Sequence, residues 1–542
     1  MTAVWISHVC RAIGAPETKR KYWNAVIGIL LVPLVQLLVT PIQLTLDSRG
    51  IDLPASILVM TVVTVAMLMI ESMHSGIGSL YVTHMKGPTD FLGRHMSLGF
   101  VAPFVMLSRD HITTSADIPR IAGAFVVTTF LSYVGSFLFA TGSYKLEERV
   151  RGLRKRTEDL EKATKPSPPS SRFAKRVSQV TKLTDVLANN GSLTSLDTLC
   201  APSATVDFVV RTAPLWIPLS LLVTVGLPVY CATNYDLPFE TFCFIVFWVV
   251  AVLFQRYIKS CKKLELHLRL RSTLAVVFNP VLLTSALGTA YFWTKAAVTH
   301  RVIGDILNNF KSHSSWANII REVTGSPSAQ HHVGAGDLSM ALLDAGIVSL
   351  GLKMFEYRRE LCNSFTTVFS TSLVFATINV FLNVIFARAM GLQPADALAF
   401  AARNVTIALG VPAVQHLGGS TTLMSSLVVF SGMLFQMTGD LLFSWLGIHD
   451  RPLPANVTYT SDGENGGTNT EENVESATDA KVIAAGVTVG INAAAMGTAQ
   501  LIERGSMATA YSALSMTVFG AITVALTAVP VVADCLVTLA SR

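Results

Sequence analysis

Arg403, Asn404 and Thr406 are the side chains best suited to recognise a small anion. They stand together in Ala401–Gly419, AARNVTIALGVPAVQHLGG, between long apolar runs. A guanidinium presents paired N–H donors that match the two oxygens of a carboxylate. The neighbouring amide and hydroxyl add further hydrogen bonds. Gly410 and Pro412 interrupt the stretch, and Gly418 and Gly419 close it. Hydrocarbon offers no partners for freed backbone N–H and C=O groups, so a broken segment at membrane depth must face protein or a wet cavity. In carriers, such segments hold the substrate. Arg403 has two readings. A buried, unpaired cation at this depth is expensive and marks function, whereas one at the membrane edge snorkels to water.

A second stretch, Val482–Gln500 (VIAAGVTVGINAAAMGTAQ), repeats the combination of polar residues and glycine in an apolar setting. Asn492 and Thr498 are its polar candidates, and Gly490 and Gly497 permit bending or close helix approach. The two strips are expected to converge on one cavity, with helix ends favouring an anion. Asn279, ahead of Pro280, is a further hydrogen-bonding candidate. Glu71, Asp344, Asp440 and Asp534 are acids at or near membrane depth, any of which could carry a coupling proton or pair with Arg403. His313, His331 and His332 lack convincing metal-ligand spacing, and the seven cysteines show no paired spacing. The apolar segments hold no Ser/His/Asp, zinc-ligand or phosphate-loop pattern, so neither an enzyme nor a cofactor is expected.

These strips need a membrane scaffold to position them, and the composition supplies one. The chain of 542 residues is 51% hydrophobic and 14% charged, where a soluble domain carries about 25% charged residues. Its net charge of +6 comes from basic residues in loops beside apolar runs, the positive-inside pattern, and does not suggest nucleic acid. Expected spans are Trp23–Leu46, Leu53–Met73, Phe91–Leu107, Ile121–Ala140, Leu215–Tyr230, Phe242–Tyr257, Leu274–Trp293, Leu338–Leu352, Phe365–Phe386, the Ala401–Gly419 stretch, Leu423–Leu446, Val482–Leu501 and Ala508–Val532. The fold class is thus an all-α polytopic transmembrane protein of roughly 12–13 spans, with broken helices in its C-terminal half.

Residues 146–165 read as a charged helix that breaks at Pro166, Pro168 and Pro169. Their basic excess places residues 146–205 on the cytosolic side. Arg301–His332 reads as a polar, amphipathic segment at the surface or the membrane interface. Arg451–Asp479 is acidic and Gly/Asn-rich, which places it on the opposite face with Asn456-Val457-Thr458 as a glycosylation acceptor. Three domains are expected: 1–145, a transmembrane bundle; 146–211, a basic helix and linker; and 212–542, the transport domain. No cleavable signal peptide is expected, nor a long Ser-rich transit peptide.

In motif order the chain resembles the LrgA/LrgB fusion family. Residues 1–145 resemble the LrgA half through Leu53-Pro54-Ala55-Ser56, Leu92–Leu107 and the Val126–Ser136 helix. Residues 240–542 resemble LrgB through Asn279-Pro280, Asp337–Arg358, Arg403-Asn404-Val405-Thr406 with Gln415–Gly419, and Ile491–Gln500. The family pattern has Ser where Asn404 stands, Thr-Pro where Ile407-Ala408 stand, His at Ala494 and Arg at Gln500. The resemblance implies a secondary carrier of small carboxylates of the glycolate and glycerate kind, proton-coupled or exchanging. The alternative it implies is a holin- or antiholin-like pore or regulator. The partners implied are a small carboxylate and the lipid bilayer, with a homo-oligomer left open.

Overall fold

The computed structural model describes residues 16–49, 55–74, 76–106, 117–164, 204–260, 278–311, 333–446 and 469–542, with residues 274 and 448. Among them every regular element is helical. Arg20–Lys145 and Pro214–Arg542 form one compact unit, which holds every candidate site residue. Met1–Lys19 and Leu146–Ala213 form another, whose described part is helical, with Arg151 Nη2 donating to Glu147 one turn away at 2.6 Å. The expected prolines at 166–169, the three loop histidines and the Asn456 acceptor lie outside the described residues.

The helices are α1 (Pro16–Ser48), α2 (Ala55–Met73), α3 (Lys86–His95), α4 (Val101–Met106), α5 (Ile118–Thr164), α6 (Ala204–Leu221), α7 (Leu227–Thr233), α8 (Asp236–Ser260), α9 (Pro280–Thr299) and α10 (Ile303–Phe310). The C-terminal part adds α11 (Ala335–Glu356), α12 (Arg358–Asn363), α13 (Phe365–Ala389), α14 (Pro394–Ala399), α15 (Ile407–His416), α16 (Thr421–Trp445), α17 (Asn469–Arg504), α18 (Ala508–Ala528) and α19 (Pro530–Ser541). Ten helical runs among the described residues are long and apolar enough to cross a membrane. The chain is a multi-pass integral membrane protein.

The expected count of 12–13 exceeds ten because three stretches do not form long apolar rods. Phe91–Leu107 is split into α3, a 3-10 turn at Met96–Phe100, and α4. The Leu274–Trp293 stretch becomes α9, which starts only at Pro280 and carries Thr284, Ser285, Thr289, Thr294 and Lys295. Ala401–Gly419 is unwound ahead of α15. At the C-terminus the expected Ala508–Val532 helix stops at Ala528. Val529 takes an extended ψ of 119°, as the residue before a proline prefers, and α19 begins at Pro530. Of the Arg301–His332 segment, Ile303–Phe310 forms a helix with one apolar face. Ile306, Leu307 and Phe310 of α10 are buried, and Phe310 packs against Phe244 and Phe292 at 5.1 and 4.8 Å between ring centres.

The core sits around α17. In its apolar part, Ala480–Arg504, 94% of the spanning window is buried inside the protein. Lipid tails are as apolar as leucine, so helices associate here by close packing, which small residues allow. Gly486 and Gly490 form that device against α18. A Cβ on Gly486 would lie 2.6 Å from the Ala508 carbonyl oxygen. One on Gly490 would lie 2.1 Å from Ser515 Oγ and 2.3 Å from the Ser512 carbonyl oxygen.

The N-terminal helices α1 and α2 dock on α11. Thr64 Oγ1 donates to the Gly351 carbonyl at 3.1 Å, and Gln36 Nε2 donates to the Ala341 carbonyl at 3.2 Å. At the Glu356 end, ion pairs join the two parts of the sequence. Lys86 pairs with Glu356 at 2.8 Å, Lys353 pairs with Asp90 and Glu356, and Arg358 pairs with Glu71. Glu71 is therefore bound in an ion pair, not free to meet Arg403.

Candidate functional site

The polypeptide unwinds between α14 and α15. After α14 and a 3-10 turn at Phe400–Ala402, residues Arg403–Thr406 form an irregular link. Thr406, with φ −53° and ψ 141°, is the residue from which α15 starts. Its hydroxyl does not cap the helix and has no hydrogen-bond partner among the described residues, although the residue is buried. The break expected at Gly410 and Pro412 is absent there: α15 runs through both. Gly410 instead permits close packing, since a Cβ would lie 2.8 Å from Met424 Sδ. Membrane helices tolerate an internal proline where neighbouring groups satisfy the freed carbonyl.

Gly418 and Gly419 do end the helix. Gly418 has φ +72°, its N–H bonds to the Gln415 carbonyl at 3.1 Å, and Gly419 N–H bonds to the Val414 carbonyl at 3.0 Å. This paired arrangement is the Schellman motif, which favours glycine in the left-handed position.

The second strip is also broken, at a residue that the family pattern singles out but that is not among the expected breaks. Ala494 lies inside α17 with φ 46° and ψ −136°. A Cβ-bearing residue is strained there, by about 1–3 kcal/mol. Gly490 and Gly497, expected at the break, flank it instead. Gly490 serves the packing on α18. A Cβ on Gly497 would lie 2.5 Å from Ala493 Cβ and 2.7 Å from Val489 Cγ1, so glycine lets the helix fold back on its previous turns. Ala494→Gly should raise the thermal unfolding midpoint of the purified protein by roughly 1 kcal/mol of stability, and Ala494→Val should lower it. Unfolding followed by circular dichroism in detergent checks both signs.

The two breaks meet. Asn404 Nδ2 donates to Asn492 Oδ1 at 3.1 Å and to Ser132 Oγ at 3.2 Å. Asn492 Nδ2 donates to Ser136 Oγ at 3.0 Å and to the Thr488 carbonyl at 2.9 Å. Asn379, on α13, donates from Nδ2 to Ser132 Oγ at 3.1 Å. Arg403 is fully buried, 0% exposed, which decides against the snorkelling reading. Its Nη1 donates to Thr129 Oγ1 at 2.8 Å, and its guanidinium carbon lies 5.7 Å from the centre of the Phe125 ring. Among the described residues Arg403 Nε and Nη2 have no partner, nor does Asn404 Oδ1. Among the described residues no carboxylate pairs with Arg403.

Sequence reasoning missed one wall of this site. Thr129, Ser132 and Ser136 lie on one face of α5 at i, i+3 and i+7, with the unpartnered Tyr133 hydroxyl beside them. Their 3–4 spacing in an apolar helix was the available signal. Two expected residues lie elsewhere. Thr498 Oγ1 donates to the Ala494 carbonyl at 2.9 Å and pairs with Ser512 Oγ at 2.7 Å, so it satisfies backbone at the break. Asn279 caps α9, its Oδ1 accepting from Val281 N–H at 2.9 Å. Its Nδ2 donates to Gln436 Oε1, a node that also receives Gln500 through the Gln436 carbonyl. None of these bonds reaches the Arg403 group.

Chemically, the site offers one uncompensated guanidinium edge, one unused amide oxygen and two free hydroxyls, enclosed by protein at membrane depth. Together with the ten helices among the described residues that are long and apolar enough to span a membrane, this defines a polytopic membrane protein with two broken helical strips that meet at a buried polar centre. The model of the LrgB-like family matches residues 264–470 and 471–534, and the chain belongs to that family. Both broken strips fall within the matched residues.

Two curated relatives are similar over shorter stretches. The plastidal glycolate/glycerate translocator 1 of Arabidopsis thaliana is 24% identical over 152 residues, 28% of each chain. The holin-like protein CidB of Staphylococcus aureus is 21% identical over 118 residues, 22% of this chain and 51% of the relative. The matched stretches thus span about a quarter and about half of the relatives' lengths. No solved structure matches.

Proposed function

We propose that the protein is a secondary carrier of small organic anions, with glycolate- and glycerate-like monocarboxylates as its substrate class. The observation that carries this reading is the fully buried Arg403 with its Nε and Nη2 donors unused. These two donors share one edge of the guanidinium, the edge that grips a carboxylate side-on. A buried cation without a counter-charge is costly, and a substrate carboxylate relieves that cost only while bound. Asn404 Oδ1 accepts from a substrate hydroxyl, and Thr406 and Tyr133 supply further hydroxyls. The name of the plant relative supports the same substrate class. Alternating access comes from one bundle moving against the other around the fixed site.

Purified protein in liposomes should take up labelled glycolate with saturation, and unlabelled glycerate should compete. The holin-like relative favours a second reading, a pore. A pore would pass glycolate without saturation and leak sucrose alongside it, and that result would replace the carrier reading.

A further inference from the structure

An acid stands midway along a helix long enough to span the membrane, and among the described residues no cation pairs with it. Asp344 lies on α11, nine residues after Ala335 and twelve before Glu356. At 1.5 Å per residue that is about 14 and 18 Å from the two ends. Its face, shared with Ala341, Ala345 and Val348, packs on α1 and α2 among Val35, Val39, Ala55 and Val59. Among the described residues its carboxyl has the Ser56 hydroxyl and the Gln36 amide as hydrogen-bond partners, both neutral. An ionised carboxylate at the centre of a spanning helix is expensive, and such residues mark ion or proton pathways.

The charges on the surrounding elements are engaged or remote. On α2, Glu71 pairs with Arg358 of α12. On α3, Lys86 and Asp90 pair with Glu356 and Lys353, while Arg94 is exposed and His95 stacks on Phe91. The 3-10 turn and α4 carry no charge. On α8, Asp236 and Glu240 are held by Lys295, and Arg256 lies near the far end of the helix. Asp305 of α10 is near the Ala335 end, α18 brings one titratable group, Tyr511, and the cations of α1 lie in its first turns. Among the described residues none of these forms an ion pair with Asp344.

We propose that Asp344 is a reversible proton site within the membrane, and that a proton bound on one side and released on the other couples the proton gradient to uptake of the anion held at Arg403. The second half of this inference rests on the carrier reading above. Gln36 and Ser56 can serve either state, since an amide and a hydroxyl both donate to a carboxylate and accept from a carboxylic acid. Uptake of a monoanion with one proton is electrically neutral, so the coupled step works without a membrane potential.

The test uses the full-length protein in liposomes, with labelled glycolate as probe. In the wild type, an inward-directed pH gradient should accelerate uptake at least tenfold. Asp344→Asn should lose that acceleration yet retain glycolate counterflow, an exchange that needs no net proton movement. Asp344→Glu, which keeps a titrating carboxyl, should restore part of the response. Infrared difference spectra across a pH titration should show a protonated-carboxyl band that Asp344→Asn removes, whatever the transport result. An undiminished pH response or an unchanged band in Asp344→Asn would overturn the proposal. Acceleration by a sodium gradient in place of the pH gradient would also overturn it. Absence of counterflow in the wild type would instead count against the carrier reading, with the infrared band still deciding the proton site.

Discussion

Arg403→Met should abolish saturable glycolate uptake while leaving the folded protein at least as stable as the wild type. Both halves follow from one fact: the guanidinium is fully buried, holds Thr129 through Nη1, and has no acid partner among the described residues. Hydrogen bonds to a charged group contribute about 1.5–3 kcal/mol each, so losing the carboxylate grip should lower transport efficiency by roughly 10- to 150-fold or more. Replacing uncompensated buried charge with an apolar side chain of similar length is neutral or stabilising, by up to about 4 kcal/mol. A structural arginine would behave oppositely, since its removal would strand partners and lower the melting point. Uptake assays and thermal melts on the same purified samples separate the two. Equal loss of activity and stability would mean that Arg403 holds the fold and not a substrate.

Gly490→Val should prevent α17 from docking on α18 and yield protein that aggregates on extraction. Even the single Cβ of alanine would intrude to 2.1 Å from Ser515 Oγ and 2.3 Å from a backbone carbonyl oxygen, which cannot turn away as a side chain can. Overpacking of this kind costs about 1–3 kcal/mol for modest insertions, and valine adds two more carbons. Because α17 is enclosed on nearly every side, it has no free direction in which to shift. Gly142 is the matched control: nothing lies within 4 Å of its hypothetical Cβ. Gly142→Ala should be neutral or stabilise by about 0.5–1 kcal/mol. Size-exclusion profiles of the two variants check the contrast, and a monodisperse Gly490→Val protein would show that the contact is dispensable.

How far the residues alone reveal this arrangement depends on which force sets each feature. The Arg403-Asn404-Val405-Thr406 link is legible because charge and amide inside apolar sequence are costly unless satisfied. Its meeting with Asn492 follows from the same cost, as two amides at membrane depth gain by bonding to each other. The position of the breaks is less legible. Gly410 and Pro412 look like breakers, yet α15 passes through them, because its start is set by the extended backbone of Thr406 one turn earlier. Ala494 is the opposite case: alanine favours helix more than any other residue, so only packing with α16 and α18 can hold it at positive φ.

Thr129, Ser132 and Ser136 escape notice for a further reason. Small hydroxyl residues in membrane helices commonly bond back to the carbonyl one turn earlier, as Thr128 and Ser136 do here at 2.6 Å. Residue type alone therefore cannot separate a site wall from a self-satisfied helix. Thr498 illustrates the same limit from the other side, since it has the right type and lies on the right helix, but its hydroxyl closes the break in place of lining the polar centre.

The most direct measurement of the central claim, that the buried guanidinium receives a small carboxylate, is equilibrium binding of labelled glycolate to purified wild-type and Arg403→Gln protein. The expected result is saturable one-site binding in the wild type, displaced by glycerate but not by neutral ethylene glycol, and no detectable binding in the variant. Equal binding by the two proteins, or displacement by ethylene glycol as readily as by glycerate, would contradict it.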